Sequence, residues 1–289
     1  MKLNLASQIK DEWVMPAMTE GNPLKDLGLP LSLRILLSRR GYDSLEKANE
    51  FLFNTILPDP YLHFRDLKKS VEKIYATINS NNRITICGDY DADGLTSSAL
   101  LLRTLKYLKA KVSTSIPSRF EEGYGLNEKM VNTLFEEGTK LIITVDNGIN
   151  AIEALELANK LKISVIVTDH HKIPTSYPKP FALLHPELTP SNSPYKTLAG
   201  VGVAYLLAKQ LINQEENLEI NKDIEDLFCI GTIADMASIT GANLIWLRRF
   251  INRLHLTRIE GLKSIIKISG INNEFISSED IGFKIAPRI

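Results

Sequence analysis

A chain of 289 residues with 44% hydrophobic side chains is long enough to bury one large core or two small ones. Its 34 basic and 34 acidic residues cancel, which excludes a body held to nucleic acid by bulk positive charge, so any basic groove must be local. The lone pair of cysteines, Cys87 and Cys229, excludes a disulfide framework or a cysteine-rich zinc site; with no apolar run near the roughly 20 residues that cross a bilayer and no secretory apolar core, a cytoplasmic location away from membranes is expected.

Taken in order, residues 1–30 are interrupted by Pro16, Pro23 and Pro30 and read as a loosely ordered arm. From Leu31 to about Phe53 the spacing of Leu and Ile predicts two short helices around Gly41, with Arg34, Arg39 and Arg40 either on a solvated face, the favoured reading, or against a phosphate backbone. An amphipathic helix follows from Asp66 to Asn79, with Asn81-Asn82 as the turn.

The next stretch, Ile-Thr-Ile-Cys-Gly-Asp-Tyr-Asp-Ala-Asp-Gly-Leu-Thr-Ser over residues 84–97, sets Asp89, Asp91 and Asp93 two residues apart after a buried strand. Extended backbone repeats every two residues, so the three carboxylates are expected to converge on one side, with Gly88 and Gly94 permitting the turn. Like charges repel, so the cluster is either a solvated acidic turn or the seat of a hard divalent cation. The same arrangement recurs downstream: residues 141–145 end at Asp146-Asn147-Gly148, and residues 164–168 end at Asp169-His170-His171. Ligands of open α/β sheets bind at the carboxyl ends of parallel strands, which favours the cation.

Leu95 to Leu108 reads as a helix whose first turn faces this site, and Lys111 to Ser115 as the next strand. Beyond it, Arg119 is a candidate phosphate clamp or the partner of Glu121 or Glu122, and Tyr124 either packs its loop or stacks on a base. Helices over 127–137 and 149–161 complete repeated βα units. Residues 181–184 are a candidate fifth strand running into His185, which is structural or supports the site from behind. After a proline-rich loop, Leu-Ala-Gly-Val-Gly-Val-Ala (198–204) opens a long helix; Gly200 and Gly202 admit either a phosphate or a close-packed neighbour. An apolar helix over 223–235 ends in Asp235, a carboxylate that needs a partner and is a candidate ligand. Helices over 243–255 and 261–268 carry Arg248, Arg249, Arg253 and Arg258, either a local basic patch or a solvated face. The expected fold is α/β, a doubly wound, mainly parallel five-stranded sheet flanked by helices and followed by a helical region. The expected organisation is an N-terminal arm and helices over 1–80, a catalytic domain over 81–240 and a helical region over 241–289.

Asp-Tyr-Asp-Ala-Asp-Gly, Val-Asp-Asn-Gly, Thr-Asp-His-His and the later Gly-Thr-Ile-Ala-Asp together resemble the DHH phosphoesterase superfamily. Ile116-Pro117-Ser118-Arg119, Glu122-Gly123-Tyr124-Gly125-Leu126 and the Leu198–Ala204 segment resemble its RecJ exonuclease family, over roughly residues 30 to 289. That resemblance implies a single-strand-specific 5′ to 3′ DNA exonuclease of repair and recombination using two Mn²⁺ or Mg²⁺ ions. Asp91 and Asp146 would hold one ion, and Asp93, Asp146, His170 and Asp235 the other. Asp89 would be a further ligand or the base for water, His171 would face the phosphate, and Asp169 would anchor the turn or orient an imidazole. Arg119, Gly200, Gly202 and Arg288 would touch the strand. Single-stranded DNA is the implied partner, with a single-strand-binding protein and a helicase beside it, and a second, strand-gripping domain is implied beyond Ile289. Cys87 stands where the superfamily often has His; it is expected to be buried core with no chemistry. The competing readings are a phosphoesterase of short oligonucleotides or cyclic dinucleotides, and a non-catalytic module of a replication or repair assembly.

Overall fold

The computed structural model describes residues 24–117, 125–176, 179–212, 218–271 and 275–289. Residues up to Thr55 make one unit and Ile56–Ile289 another. In the first, helices α1 (Leu31–Arg39) and α2 (Leu45–Phe53) enclose a small cluster around Leu24, Leu37 and Ala48. Gly41 takes φ 88° between them, a conformation that costs glycine little, and the Ser44 hydroxyl caps α2 by accepting from the Lys47 amide. Of the arm expected over residues 1–30, residues 1–23 lie outside the described residues.

The second unit is built on five parallel strands: β1 (Arg83–Cys87), β2 (Val112–Ser115), β3 (Thr139–Val145), β4 (Ser164–Thr168) and β5 (Ala182–Leu184). Their order in the sheet is β2-β1-β3-β4-β5, every neighbouring pair parallel. Helix α3 (Leu67–Asn79) precedes β1; α4 (Ala92–Tyr107), α5 (Glu128–Glu136) and α6 (Ile152–Lys160) make the crossovers. Helices α7 (Gly200–Leu211) and α8 (Leu218–Ala234) follow β5.

Side-chain alternation on the central strands explains why both faces are covered. Ile84, Ile86, Leu141, Ile143, Val145 and Ile166 point into one cluster with residues of α3, α4, α7 and α8. Cys87, Ile142, Val165 and Val167 point the other way, onto Val131 of α5 and Leu155 of α6. The chain leaves β1 to one side for β2 and returns to the other side for β3. That reversal opens a crevice at the carboxyl ends of β1 and β3, the place where open α/β sheets bind ligands.

Three helix starts differ from expectation by three residues or more, that of α6 falling at Ile152 instead of Ile149. Helix α4 begins at Ala92, not Leu95, because Asp91 is a good N-cap and accepts from the Gly94 amide at 2.9 Å. The strand-like spacing of the three aspartates is therefore not what gathers them: β1 stops at Cys87, Asp91 caps the helix and Asp93 lies in its first turn. Helix α8 starts at Leu218, ahead of the expected Asp223. The arginine-rich region is helical as expected, with α9 (Gly241–Phe250), a 3-10 stretch Ile251–Leu256 and α10 (Glu260–Ile268).

Helices α4, α7 and α8 pack tightly against one another where Gly231 of α8 faces both neighbours. A Cβ on Gly231 would stand 2.2 Å from Thr96 Oγ1 and 2.8 Å from Val201 Cγ1. Alanine there gains about 1 kcal/mol of helix propensity but overpacks the junction, which typically costs about 1–3 kcal/mol. Urea unfolding of Gly231→Ala should therefore show a loss of stability, whereas Gly261→Ala, which meets nothing within 4 Å, should be neutral or stabilising. Equal behaviour of the two variants would contradict this packing.

Candidate metal centre

The loops after β1, β3 and β4 and the ends of α7 and α8 converge at the β1/β3 crevice. Asp89 is fully buried behind the Asp91 cap, and Gly94 is required beside it, because a Cβ there would lie 2.7 Å from the Asp89 backbone nitrogen. Asp93 reaches from α4 to the first turn of α7, where its carboxylate accepts from the Gly200 amide at 2.8 Å and the Val201 amide at 2.7 Å. The start of α7 thus holds a protein carboxylate, an arrangement its dipole favours. The two glycines of that turn are close-packed: a Cβ on Gly200 would fall 2.6 Å from Asp146 Cβ, and one on Gly202 would fall 2.9 Å from Leu198 Cδ2.

Asp146 ends β3 with φ 60°, a left-handed conformation that aspartate tolerates better than most side chains, and Gly148 follows at φ 110°. Its amide stays in the sheet, donating to the Thr168 carbonyl at 3.0 Å, while its buried carboxyl meets His170 Nε2 at 3.0 Å. His170 Nε2 lies 3.7 Å from Asp93 Oδ2 and 3.9 Å from Asp235 Oδ1, so one imidazole touches carboxylates from three elements. Asp235 extends the last turn of α8, its amide donating to Gly231. A carboxylate at that end of a helix opposes the dipole and gains from a nearby cation.

Among the described residues, three overlapping groups have ligand atoms within 4.8 Å of one another: Asp89, Asp91 and Asp146; Asp93, His170 and Asp235; Asp146, His170 and His171. The donor set is carboxylate and imidazole without thiolate, which suits Mn²⁺ or Mg²⁺. The electrostatics agree with that fit. Burial first, then the charge of Asp91, pushes Asp146 up to about 9. Burial and the Asp146 and Asp235 charges raise Asp93 well above the carboxylate range, and burial raises Asp235. These carboxyls resist ionising together unless a cation joins them.

Asp169 has a different task. Its Oδ1 accepts from the His170 amide at 2.7 Å, the His171 amide at 3.0 Å and His171 Nδ1 at 2.8 Å, and its Oδ2 accepts from the Ile149 amide at 2.9 Å. Burial works to raise this carboxyl, but the His171 imidazole and these amides together hold it below the usual range. The same contact raises His171. Behind them, His185 accepts from the Glu187 amide at Nδ1, so its Nε2 carries the proton and donates to the His171 carbonyl at 2.8 Å.

Cys87 is buried on the opposite face of the sheet, where burial pushes its thiol up to about 12, and among the described residues it belongs to none of the groups of convergent ligand atoms. Sequence reading missed Asn147, whose side chain donates to the Cys87 carbonyl at 3.0 Å and the Val145 carbonyl at 2.8 Å and accepts from the Leu126 amide at 3.1 Å. It pins the strand ends that carry the aspartates. Arg119 and Tyr124 lie outside the described residues. Arg288 lies in the 3-10 turn Ala286–Arg288 and donates to the Lys284 carbonyl of the preceding turn.

The family model for the DHH family, N-terminal domain, matches residues 83–232. Among curated relatives, the single-stranded-DNA-specific exonuclease RecJ of Bacillus subtilis is 38% identical over 288 residues, covering 99% of this chain and 36% of the relative. RecJ of Escherichia coli is 33% identical, covering 90% of this chain and 47% of its own. The chain thus spans between a third and a half of these relatives' length. Among solved structures, RecJ bound to manganese superposes with TM-score 0.71 at 34% identity, covering 80% of this chain and 58% of the other. RecJ of Thermus thermophilus in complex with Mn²⁺ gives TM-score 0.74 at 28% identity, over 93% of this chain and 38% of that one. With its sheet order, its convergent aspartates and histidines and a family match over residues 83–232, the chain belongs to the DHH family.

Proposed function

We propose that the chain is the catalytic portion of a metal-dependent exonuclease that hydrolyses single-stranded DNA from the 5′ end. The observation that carries this reading is the set of three ligand groups joined through Asp146 and His170 at the β1/β3 crevice. The relatives named for single-stranded-DNA-specific exonuclease activity, and the RecJ structures holding Mn²⁺, support it.

In this reading Asp89, Asp91 and Asp146 would hold one ion, and Asp93, His170 and Asp235, with Asp146 shared, would hold the other. Two such ions would supply charge neutralisation at phosphorus and acidify water near neutral pH. The chain's own residues do the rest. Asp169 fixes the His171 ring and keeps it readily protonated, so its Nε2 is suited to meet a phosphate oxygen or to hand a proton to the leaving oxygen. The α7 amides hold Asp93 in place, and His185 holds the backbone from which His171 projects. Arg119 is assigned to phosphate recognition through its bidentate guanidinium. The proposed setting is cytoplasmic DNA repair and recombination, beside a single-strand-binding protein and a helicase.

The direct assay compares 5′-labelled and 3′-labelled single strands and a dinucleotide, with Mn²⁺ and with chelator. Mononucleotides released from the 5′ end and lost with chelator are expected; cleavage of the dinucleotide alone would overturn the exonuclease reading. Asp146→Asn, chosen because asparagine also tolerates φ 60°, should keep the fold and lose more activity than the roughly 10- to 100-fold typical of supporting residues. Turnover within a few-fold of the parent would contradict a shared ligand.

The raised carboxyls also set a pH dependence. Asp146 is held up to about 9 in the metal-free fold, against about 4 in an unfolded chain. Between those values the native state binds more protons than the unfolded state, so metal-free stability falls as pH rises through that window. Binding of Mn²⁺ displaces the protons, so the rise in Tm on adding Mn²⁺ should grow from pH 6 to pH 8.5. A metal-induced shift independent of pH would contradict the carboxylate assignment.

A further inference from the structure

Helices α7 and α8 each have a second end. Gly200 meets the acidic cluster; Lys209, nine residues on, stands about 13 Å further along the helix axis. There the two helices, α9, the 3-10 stretch after it and the segment around Asp59 line a half-open cavity of about 530 Å³. Among the described residues, four cationic side chains line it, Lys209, Lys222, Arg249 and Arg253, against two carboxylates, Asp59 and Glu225. One carboxylate is already committed: Glu225 is paired with Arg253. Lys209 is half-buried, its Nζ donating to Asn221 Oδ1 at 2.7 Å, a neutral partner. In a chain whose charges cancel, this is a local positive excess among the described lining residues, half-buried at Lys209 and Arg253 and exposed at Lys222 and Arg249, where an incoming phosphate can reach it.

One wall of the cavity is aromatic. The Trp246 indole is half-buried in the lining and held edge-on by Tyr205, with ring centroids 4.9 Å apart, and by Phe228 at 5.4 Å. A ring fixed in this way is a ready platform for a planar heterocycle. Guanidinium and ammonium groups opposite it are the usual partners of phosphate. We propose that this cavity is a second ligand site, separate from the acidic centre, that binds a nucleoside monophosphate, with the base at Trp246 and the phosphate among Lys209, Lys222 and Arg249. The site uses the arginine-rich stretch that the acidic centre leaves unused, and it does not depend on the nuclease reading.

The test is calorimetric titration of the whole chain with 5′-AMP, adenosine and inorganic phosphate in EDTA, which keeps the acidic centre free of metal and prevents hydrolysis. Saturable 5′-AMP binding at one site per chain is expected, at least tenfold tighter than adenosine or inorganic phosphate. Arg249→Glu should weaken it tenfold or more, and Asp146→Asn should leave it unchanged. Arg249 is exposed, so its replacement should not disturb the core; should that variant fail to fold, Lys222→Glu on the same rim replaces it with the same expectation. No saturation at millimolar 5′-AMP, equal binding of inorganic phosphate, or undiminished affinity in the rim variant would each overturn the proposal.

Discussion

The mutual repulsion of carboxylates gathered at the carboxyl ends of β1 and β3 is the constraint on which the rest of the structure depends. Asp89, Asp93 and Asp146 are buried, and Asp235 adds a fourth carboxyl at the unfavourable end of α8. Nothing in hydrophobic burial explains such a grouping, which lowers stability wherever the groups ionise. The neighbouring architecture manages that cost: the first turns of α4 and α7 present amides to Asp91 and Asp93, and His170 sits among three of the carboxyls. A pair of divalent ions would turn the remaining cost into binding energy.

Stiffness around the centre comes from contacts one step removed. Asn147 ties the end of β3 to β1 and to the Leu126 amide, Asp169 gathers three amides and one imidazole nitrogen, and His185 supports the His171 carbonyl. Close backbone approaches complete the frame: Gly94 against Asp89, Gly200 against Asp146, and Gly231 against Thr96 and Val201. Reacting groups held by locked supports need little reorganisation when substrate arrives.

Much of this was legible in the chain. Apolar runs ending in Asp predicted strands that deliver side chains to one sheet edge, and the motif order carried the DHH resemblance that the family match over residues 83–232 bears out. The path of the Asp-Tyr-Asp-Ala-Asp stretch was not legible. Aspartate is common in turns and is also a strong helix cap, so its spacing did not reveal that the strand ends at Cys87 and the helix starts at Ala92. Asn147 was missed because Asn before Gly reads as turn chemistry. Gly231 was missed because a helical glycine shows its purpose only when the neighbouring helices are in place. In sequence Gly200 offers room for a phosphate or for packing; in the structure its amide holds Asp93.

Mn²⁺ titration of metal-free protein, in two buffers of different ionisation enthalpy, tests the centre most directly. Two equivalents bound per chain with net release of protons, and loss of both in Asp146→Asn, is the expected result. Binding of a single ion unaffected by Asp146→Asn, or binding without proton release at neutral pH, would contradict a two-ion centre shared through Asp146.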